Sequence, residues 1–325
     1  MRLDKPLPRR LVTVTSVLVL FAVVTFLLPF LAVAALIVDL ARLKGGAHWL
    51  TLRALGFAWF YLVGQVWALV ALLLTLALPG QRREEATYRL QLAWARWNFA
   101  AVRVMFHLDV DVEGDDEISP GPILVLSRHA SMIDTLLPAN LITARHGIRL
   151  RYILKKELLI DPALDIAGSR LPNHFIDRGS GESAAERSAI RALGRDLTAD
   201  EGVLIYPEGT RFSTEKRDRF AARFANRDDD VGDIVRSFHL VLPPRPGGTL
   251  ALLEDAQADI VIMAHHGLEG FATVADVWRG NLVGSRISVR FWRIPRAQLP
   301  KDRAEQVTWL YRIWAMVDEW VVAQG

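Results

Sequence analysis

Two uncharged apolar runs stand at the front of the chain, Leu11 to Val38 and Ala54 to Leu78. A hydrocarbon core of about 30 Å takes about 20 helical residues, and both runs exceed that, so the pattern predicts two membrane-length helices. Pro29 is a candidate kink in the first. After Pro79-Gly80 the pattern changes to that of a globular chain, with a boundary near Arg82. This gives an N-terminal membrane helix pair over 1–81 and one domain over 82–325. From Arg83 to His107, Leu90, Trp94, Trp97, Ala101, Val104 and Met105 recur at helical spacing, which predicts an amphipathic helix that covers the core, with resting on the membrane as the alternative. Leu108, Val110 and Val112 then alternate, Gly114-Asp115-Asp116 reads as a turn, and Ile123 to Leu126 as a buried strand.

Further strands are predicted at "RYILKK" (151–156), "NHFIDR" (173–178), "GVLIYPEG" (202–209), "ADIVIMAH" (258–265) and "RISVRFWRI" (286–294). Helices are predicted at "SAAERSAIRALGRDL" (183–197) and from Glu305 to Val322. The alternation predicts an α/β fold: a mixed, largely parallel sheet flanked by helices, preceded by the N-terminal apolar two-helix membrane segment. "FSTEKRDRFAARFANRDDD" (212–230) is the least apolar stretch and reads as a solvated helix or loop.

Charge refines the membrane reading. Arg2, Lys5, Arg9 and Arg10 precede the first run, Arg82, Arg83 and Arg89 follow the second, and Arg42, Lys44 and Arg53 lie between. That bias favours both outer ends, and with them the domain, on the cytoplasmic side of an inner or cytoplasmic membrane. Two other readings stay open. One is a cleavable signal ending at Ala32-Val33-Ala34, though its apolar stretch is longer than the roughly 7 to 15 residues such signals use. The other is a hairpin dipping into one leaflet, which Gly56, Gly64 and Gln65 would suit by close packing.

Composition limits the chemistry. No cysteine is present, which removes disulfides, thiolate metal sites and a cysteine nucleophile. The net charge of +3, without a long Lys/Arg run, speaks against nucleic acid as a partner. Serine, histidine and carboxylates are left to act.

In "LSRHASMID" (126–134), His129 and Asp134 stand five positions apart just after the predicted strand. In a regular helix they would diverge by about 140°. A turn between strand and helix instead lets the carboxylate meet the imidazole, fix its tautomer and leave the other ring nitrogen to take a proton. Ser131 and Asp134 also form a Ser-x-x-acid pattern that would start the helix "MIDTLLPANLI" (132–142), and the two roles are compatible. "YPEGTRFS" (206–213) gathers Glu208, Gly209, Thr210 and Arg211 in a turn, and "NHFIDRG" (173–179) ends a strand with Asp177 and Arg178. Arginines at such strand ends are suited to gripping phosphate. The adjacent His265 and His266 lack metal-ligand spacing and read as loop or packing residues, so no metal is expected.

These blocks resemble the glycerolipid acyltransferases, which include the 1-acyl-glycerol-3-phosphate acyltransferases. "HASMID" is similar to the family's His-x4-Asp, "FIDR" to its second block, "YPEGTR" to its third, and "HLVLPPRPGG" (239–248) to its fourth. The last, with "WLYRIWAMVDEW" (309–320), resembles most the branch that includes lysocardiolipin acyltransferases. The resemblance covers roughly residues 85–325. Arg128 and Thr135 depart from it, standing where many members have asparagine and an aromatic. The double proline at 243 and 244 is a further departure.

The resemblance implies transfer of a fatty acyl group from acyl-CoA or acyl carrier protein to the free hydroxyl of a lysophospholipid, 1-acyl-glycerol-3-phosphate first and lysocardiolipin as an alternative. It implies His129 and Asp134 as catalytic residues and Arg178, Glu208, Gly209, Thr210 and Arg211 as substrate-binding. No cofactor is implied beyond the thioester co-substrate. The partners are the bilayer, the acceptor and the acyl donor. A serine hydrolase using Ser131 or Ser127 is a rival reading, although no Gly-x-Ser-x-Gly elbow surrounds either. A non-catalytic membrane scaffold is another.

Overall fold

In the computed structural model, residues 5–42, 49–176, 184–271 and 274–325 are described. The sheet has seven strands: β1 (Asp109–Glu113), β2 (Ile123–Ser127), β3 (Arg149–Lys155), β4 (His174–Ile176), β5 (Glu201–Ile205), β6 (Asp259–His266) and β7 (Arg286–Ile294). Their order is β1-β7-β6-β2-β5-β3-β4. All neighbours run parallel except β6 and β7, so the mixed, largely parallel sheet is as the alternation implies.

β2 lies at the centre, between β5 and β6, and every one of its residues is buried. A strand covered on both faces has no place for polar alternation, which is why "ILVLS" is nearly continuous in apolar β-formers. Leu124, Leu126, Val203 and Ile260 face one cluster, with Trp314 and Val317 of the terminal helix Arg303–Ala323. Ile123, Val125, Leu204 and Val261 face the other, with Phe99, Val102 and Phe106. Each such side chain contributes about 1.5–3 kcal/mol by leaving water. The parallel arrangement puts the carboxyl ends of β2, β3, β4, β5 and β6 along one edge, the usual place for a site in an α/β sheet.

Three long helices precede the sheet: α1 (Pro6–Ala41), α2 (Leu50–Leu74) and α3 (Gly80–Phe106). α1 and α2 are long and apolar enough to cross a membrane, and α1 is almost wholly exposed. α3 differs from its expected face. Its buried residues include Ala95, Asn98, Phe99, Val102 and Phe106, whereas Trp97 is 39% and Val104 72% exposed. The helix serves two neighbours, which widens its apolar arc. Phe99, Val102 and Phe106 meet the sheet, while Trp97 packs against Gly64 of α2 and donates to Phe60 O at 3.1 Å, and Met105 meets Gly56.

The helix pair is tied to the domain at both ends. Near the start of α1, Arg9 grips Asp165 at 2.8 and 3.0 Å and Arg10 reaches the same carboxylate at 2.9 Å. On α2, Tyr61 donates to Asp161, as does Gln65 at 2.6 Å, and Arg170 donates to Leu72 O at 3.1 Å. At the other end Arg42 stacks on Trp278 and donates to its carbonyl, while Arg53 donates to Met105 O. Asp39 of α1 accepts from the backbone of Thr51 and Leu52, capping α2.

The stretch 212–230 contains the helix Thr214–Phe224, which has no buried residue, in keeping with a solvated helix. The expected helix over 132–142 is irregular instead. It runs as a three-residue 3-10 turn, Asp134–Leu136, and then a π turn, Ala139–Thr143. Pro138 has no N–H for the carbonyl of Asp134 four residues back, so a regular ladder is interrupted there.

Candidate active site

The turn after β2 is built on backbone bonds. Arg128 N donates to Met263 O at 3.0 Å, continuing the β2–β6 ladder, and Phe212 N donates to His129 O at 2.8 Å. His129 N donates to Glu208 Oε1 at 3.1 Å. These bonds fix the histidine's main chain from both neighbouring strands.

His129 Nδ1 lies 3.0 Å from Asp134 Oδ1 and 3.2 Å from Oδ2. Oδ2 also accepts from Ala130 N and Ser131 N, each at 2.7 Å. One carboxylate thus closes the turn and holds the imidazole. The carboxylate is fully buried. Burial pushes it up, but the charge and hydrogen bond of His129, joined by His265, outweigh that and hold it well below the usual carboxylate range. An ionised Asp134 accepts from Nδ1–H, which leaves His129 Nε2 as the basic nitrogen. Among the described residues Nε2 has no hydrogen-bond partner.

His129 lines a cavity with Tyr206, Thr135, Gly209, Lys155, Glu186, Arg187 and Arg245 as its polar or small members. Ile153, Leu154, Leu158, Ile176, Ile190 and Ile205 supply an apolar wall. The Tyr206 ring lies 4.7 Å from the His129 ring. Gly209 adopts a φ of +67°, and a Cβ there would stand 3.2 Å from the Arg245 side chain, so glycine lets that arginine lie over the turn.

The other expected site residues fall in different places. Glu208 is fully buried, with its oxygens on the backbone of His129 and Leu242, and it reaches the site through His129's main chain. Burial pushes its carboxyl up to about 8, against Arg128 and the two backbone donors. Thr210 Oγ1 and Arg211 O accept from Lys216 Nζ at 3.1 and 2.8 Å, tying the turn to the helix Thr214–Phe224. Arg211 is half-buried there and does not line the cavity. Arg178 and Asp177 lie outside the described residues, just past Ile176, which is in the cavity wall.

Neither serine meets His129. Ser127 Oγ donates to Arg128 O, and Ser131 Oγ accepts from Ile133 N. Among the described residues there is no cluster of His, Cys, Asp or Glu able to hold a metal ion.

Sequence reasoning passed over Lys155 and Arg187 as cavity residues, because each looks like an ordinary surface cation until its strand or helix is packed. It read His265, with His266, only as a loop or packing residue. That residue, the last but one of β6, is fully buried, 3.4 Å from Asp134 Oδ2. The available signal was a polar residue closing an apolar strand at the same sheet edge as His129.

Residues 109–264 match the family model described as acyltransferase. A 1-acyl-sn-glycerol-3-phosphate acyltransferase of Pseudomonas aeruginosa is 28% identical over 176 residues, which is 53% of this chain and 65% of that protein. The match thus spans just under two thirds of that relative's length. The crystal structure of the 1-acyl-sn-glycerophosphate (LPA) acyltransferase PlsC from Thermotoga maritima superposes with a TM-score of 0.55 at 13% identity. It covers 83% of this chain and 97% of that one, a likeness of fold. The matched residues form the central α/β sheet, whose fold is that of the solved structure. Over residues 109–264, just under half of its length, the chain carries a domain similar to that of the acyltransferases, the 1-acyl-sn-glycerol-3-phosphate acyltransferase relative among them.

Proposed function

We propose that this protein is a membrane-bound acyltransferase that moves a fatty acyl group from acyl-CoA or acyl carrier protein to the free hydroxyl of a lysophospholipid, with 1-acyl-glycerol-3-phosphate as the leading acceptor and phosphatidate as product. The observation that carries this reading is the His129 imidazole, held at Nδ1 by Asp134 and lining a cavity with an apolar wall and three cationic side chains. The acceptor hydroxyl oxygen attacks the thioester carbonyl carbon while His129 Nε2 removes its proton. Asp134 stabilises the imidazolium, and the collapsing tetrahedral intermediate expels a thiolate that receives the proton.

The cavity suits such an acceptor. The isoleucine and leucine wall matches an acyl chain, and the exposed guanidinium of Arg245 is placed to meet a phosphate by charge-assisted hydrogen bonds. Arg178 and Arg211 remain proposed acceptor contacts. Glu208, Gly209 and Thr210 act from the turn after β5, Glu208 by holding the main chain of His129 and Gly209 by leaving room for the Arg245 side chain. The Arg178 contact rests on the resemblance of "FIDR" alone.

Membrane attachment follows from the same chemistry, since acceptor and product both reside in lipid. α1 would extend about 54 Å at 1.5 Å per residue, yet both of its ends are tied to the domain. A perpendicular crossing would put parts of the domain on opposite sides of the bilayer. A pair lying within one leaflet, with its exposed apolar face in the acyl region, avoids that. Because the chain has no cysteine, single cysteines at Lys5 and Ala41 report this cleanly. In one-sided vesicles both are expected to react with an impermeant maleimide from the same side, and labelling from opposite sides would show a span.

The activity is tested by incubating the detergent-solubilised protein with a panel of lysophospholipids and labelled acyl-CoA or acyl carrier protein, and identifying the product by mass. Absence of acyl transfer with every pair would overturn the reading.

A further inference from the structure

Arg128, next to His129, is fully buried, which an arginine tolerates only when its charge is paired. Its guanidinium donates to Glu269 at 2.6 Å, His265 O at 2.6 Å and Leu240 O at 2.8 Å. His265 answers from the same place. Its Nε2 lies 3.2 Å from Arg128 O and 3.4 Å from Asp134 Oδ2. Both neighbours are acceptors, so Nε2 carries the hydrogen, while the buried Nδ1 has no partner among the described residues.

The donors around Asp134 are unequally placed. Oδ2 faces Ala130 N, Ser131 N and His265 Nε2, whereas Oδ1 is the oxygen nearer His129 Nδ1. Three donors gathered on Oδ2 fix the rotation of the carboxylate, with both of its oxygens within 3.2 Å of His129 Nδ1. Two of the three are backbone groups of the turn itself. Only His265 comes from another strand.

From this geometry we infer that His265 is a positioning residue for acyl transfer: a second imidazole, delivered by β6, that shares its Nε2 hydrogen between Asp134 Oδ2 and Arg128 O and so holds the carboxylate turned toward His129. The catalytic consequence rests on the acyl-transfer reading above, whereas the effect on His129 does not. The charged and titratable groups facing the cluster are Asp134 and Arg128 from the turn, Glu269 beyond β6, and Glu208 and Tyr206 after β5.

Removing a donor from a carboxylate makes it a stronger acceptor, so Asp134 would then hold the His129 imidazolium more tightly. In His265→Leu, kcat is expected to fall about 10-fold with acceptor KM within about 2-fold, and the acid limb of the kcat/KM profile to move to higher pH. His265→Gln places an amide N–H near the Nε2 position and is expected to recover kcat to within about 3-fold of the parent. His265→Asn is too short to do so and should behave as the leucine variant does.

A direct readout is the NMR titration of the His129 imidazole in histidine-labelled protein, whose midpoint should rise in His265→Leu and return in His265→Gln. An unchanged midpoint and acid limb in His265→Leu, or equal impairment of Gln and Asn variants, would overturn the assignment. If the leucine variant does not fold, the Gln and Asn pair carries the test. If the parent protein transfers no acyl group, the functional reading fails, and the titration still decides the role of His265.

Discussion

The floor beneath His129 and the cavity wall in front of it are built differently. In the floor, His129, Asp134, Arg128 and Glu208 are buried and bonded to backbone of β6 and of the turns after β2 and β5. In the wall, Arg245 is exposed and Lys155 and Arg187 stand among isoleucines and leucines. A group locked by several buried bonds keeps one geometry, which proton transfer needs. A group at a mouth can adjust to a headgroup and can be exchanged without unfolding the domain. Floor substitutions should therefore act on kcat or stability, and wall substitutions on KM and acceptor choice.

The sharpest break of that contrast is His129→Ala, expected to lower kcat by at least about 100-fold while circular dichroism stays that of the parent. Near-normal turnover would remove the base from the floor. Asp318→Ala comes next and probes the floor's support from the terminal helix. Asp318 accepts from His239 N, Leu240 N and Val241 N at 2.9, 2.6 and 3.0 Å, and this segment also bonds Arg128 and Glu208. Leaving those N–H groups without their acceptor should lower stability by about 3 kcal/mol, read by chemical denaturation. A loss below about 0.5 kcal/mol, as at an ordinary surface site, would show that the floor does not depend on it.

On the wall, Arg245→Ala is expected to raise acceptor KM about 10-fold with kcat little changed, the usual scale for one charged hydrogen bond. An equal fall in kcat and kcat/KM would instead place Arg245 in the chemical step. A test by pH concerns Glu208, whose carboxyl burial pushes from its ordinary 4.5 to about 8. With a raised pKa, its contribution to stability is present below about 4.5 and lost as pH rises toward 8. Thermal unfolding followed from pH 5 to 8 should show that decline, and in Glu208→Gln the decline should be shallower.

Much of this arrangement was legible before any coordinates. β2 and β6 announce themselves as unbroken apolar runs, and the turn after β2 was readable because a histidine, a serine and an aspartate follow the strand at short spacing. The face of α3 was misjudged by its Trp97 and Val104 because periodicity reports that a helix has apolar partners without saying how many. His265 was read as packing because two adjacent histidines at a strand end form no ligand pattern, and its contact depends on Asp134 arriving from a segment about 130 residues away in sequence, a separation no periodic signal encodes.

Sequence alone determined the strands, the membrane-length helices and the spacing that lets a turn bring Asp134 to His129, since each depends on residues close together along the chain. Tertiary structure decided which strands lie side by side, and hence that Glu208, Arg128 and His265 converge under one imidazole while Arg245 stands over Gly209. The physical reason is that burial and strand neighbours are set by the packing of the whole sheet. A side chain's charge state and partners follow from where that packing puts it.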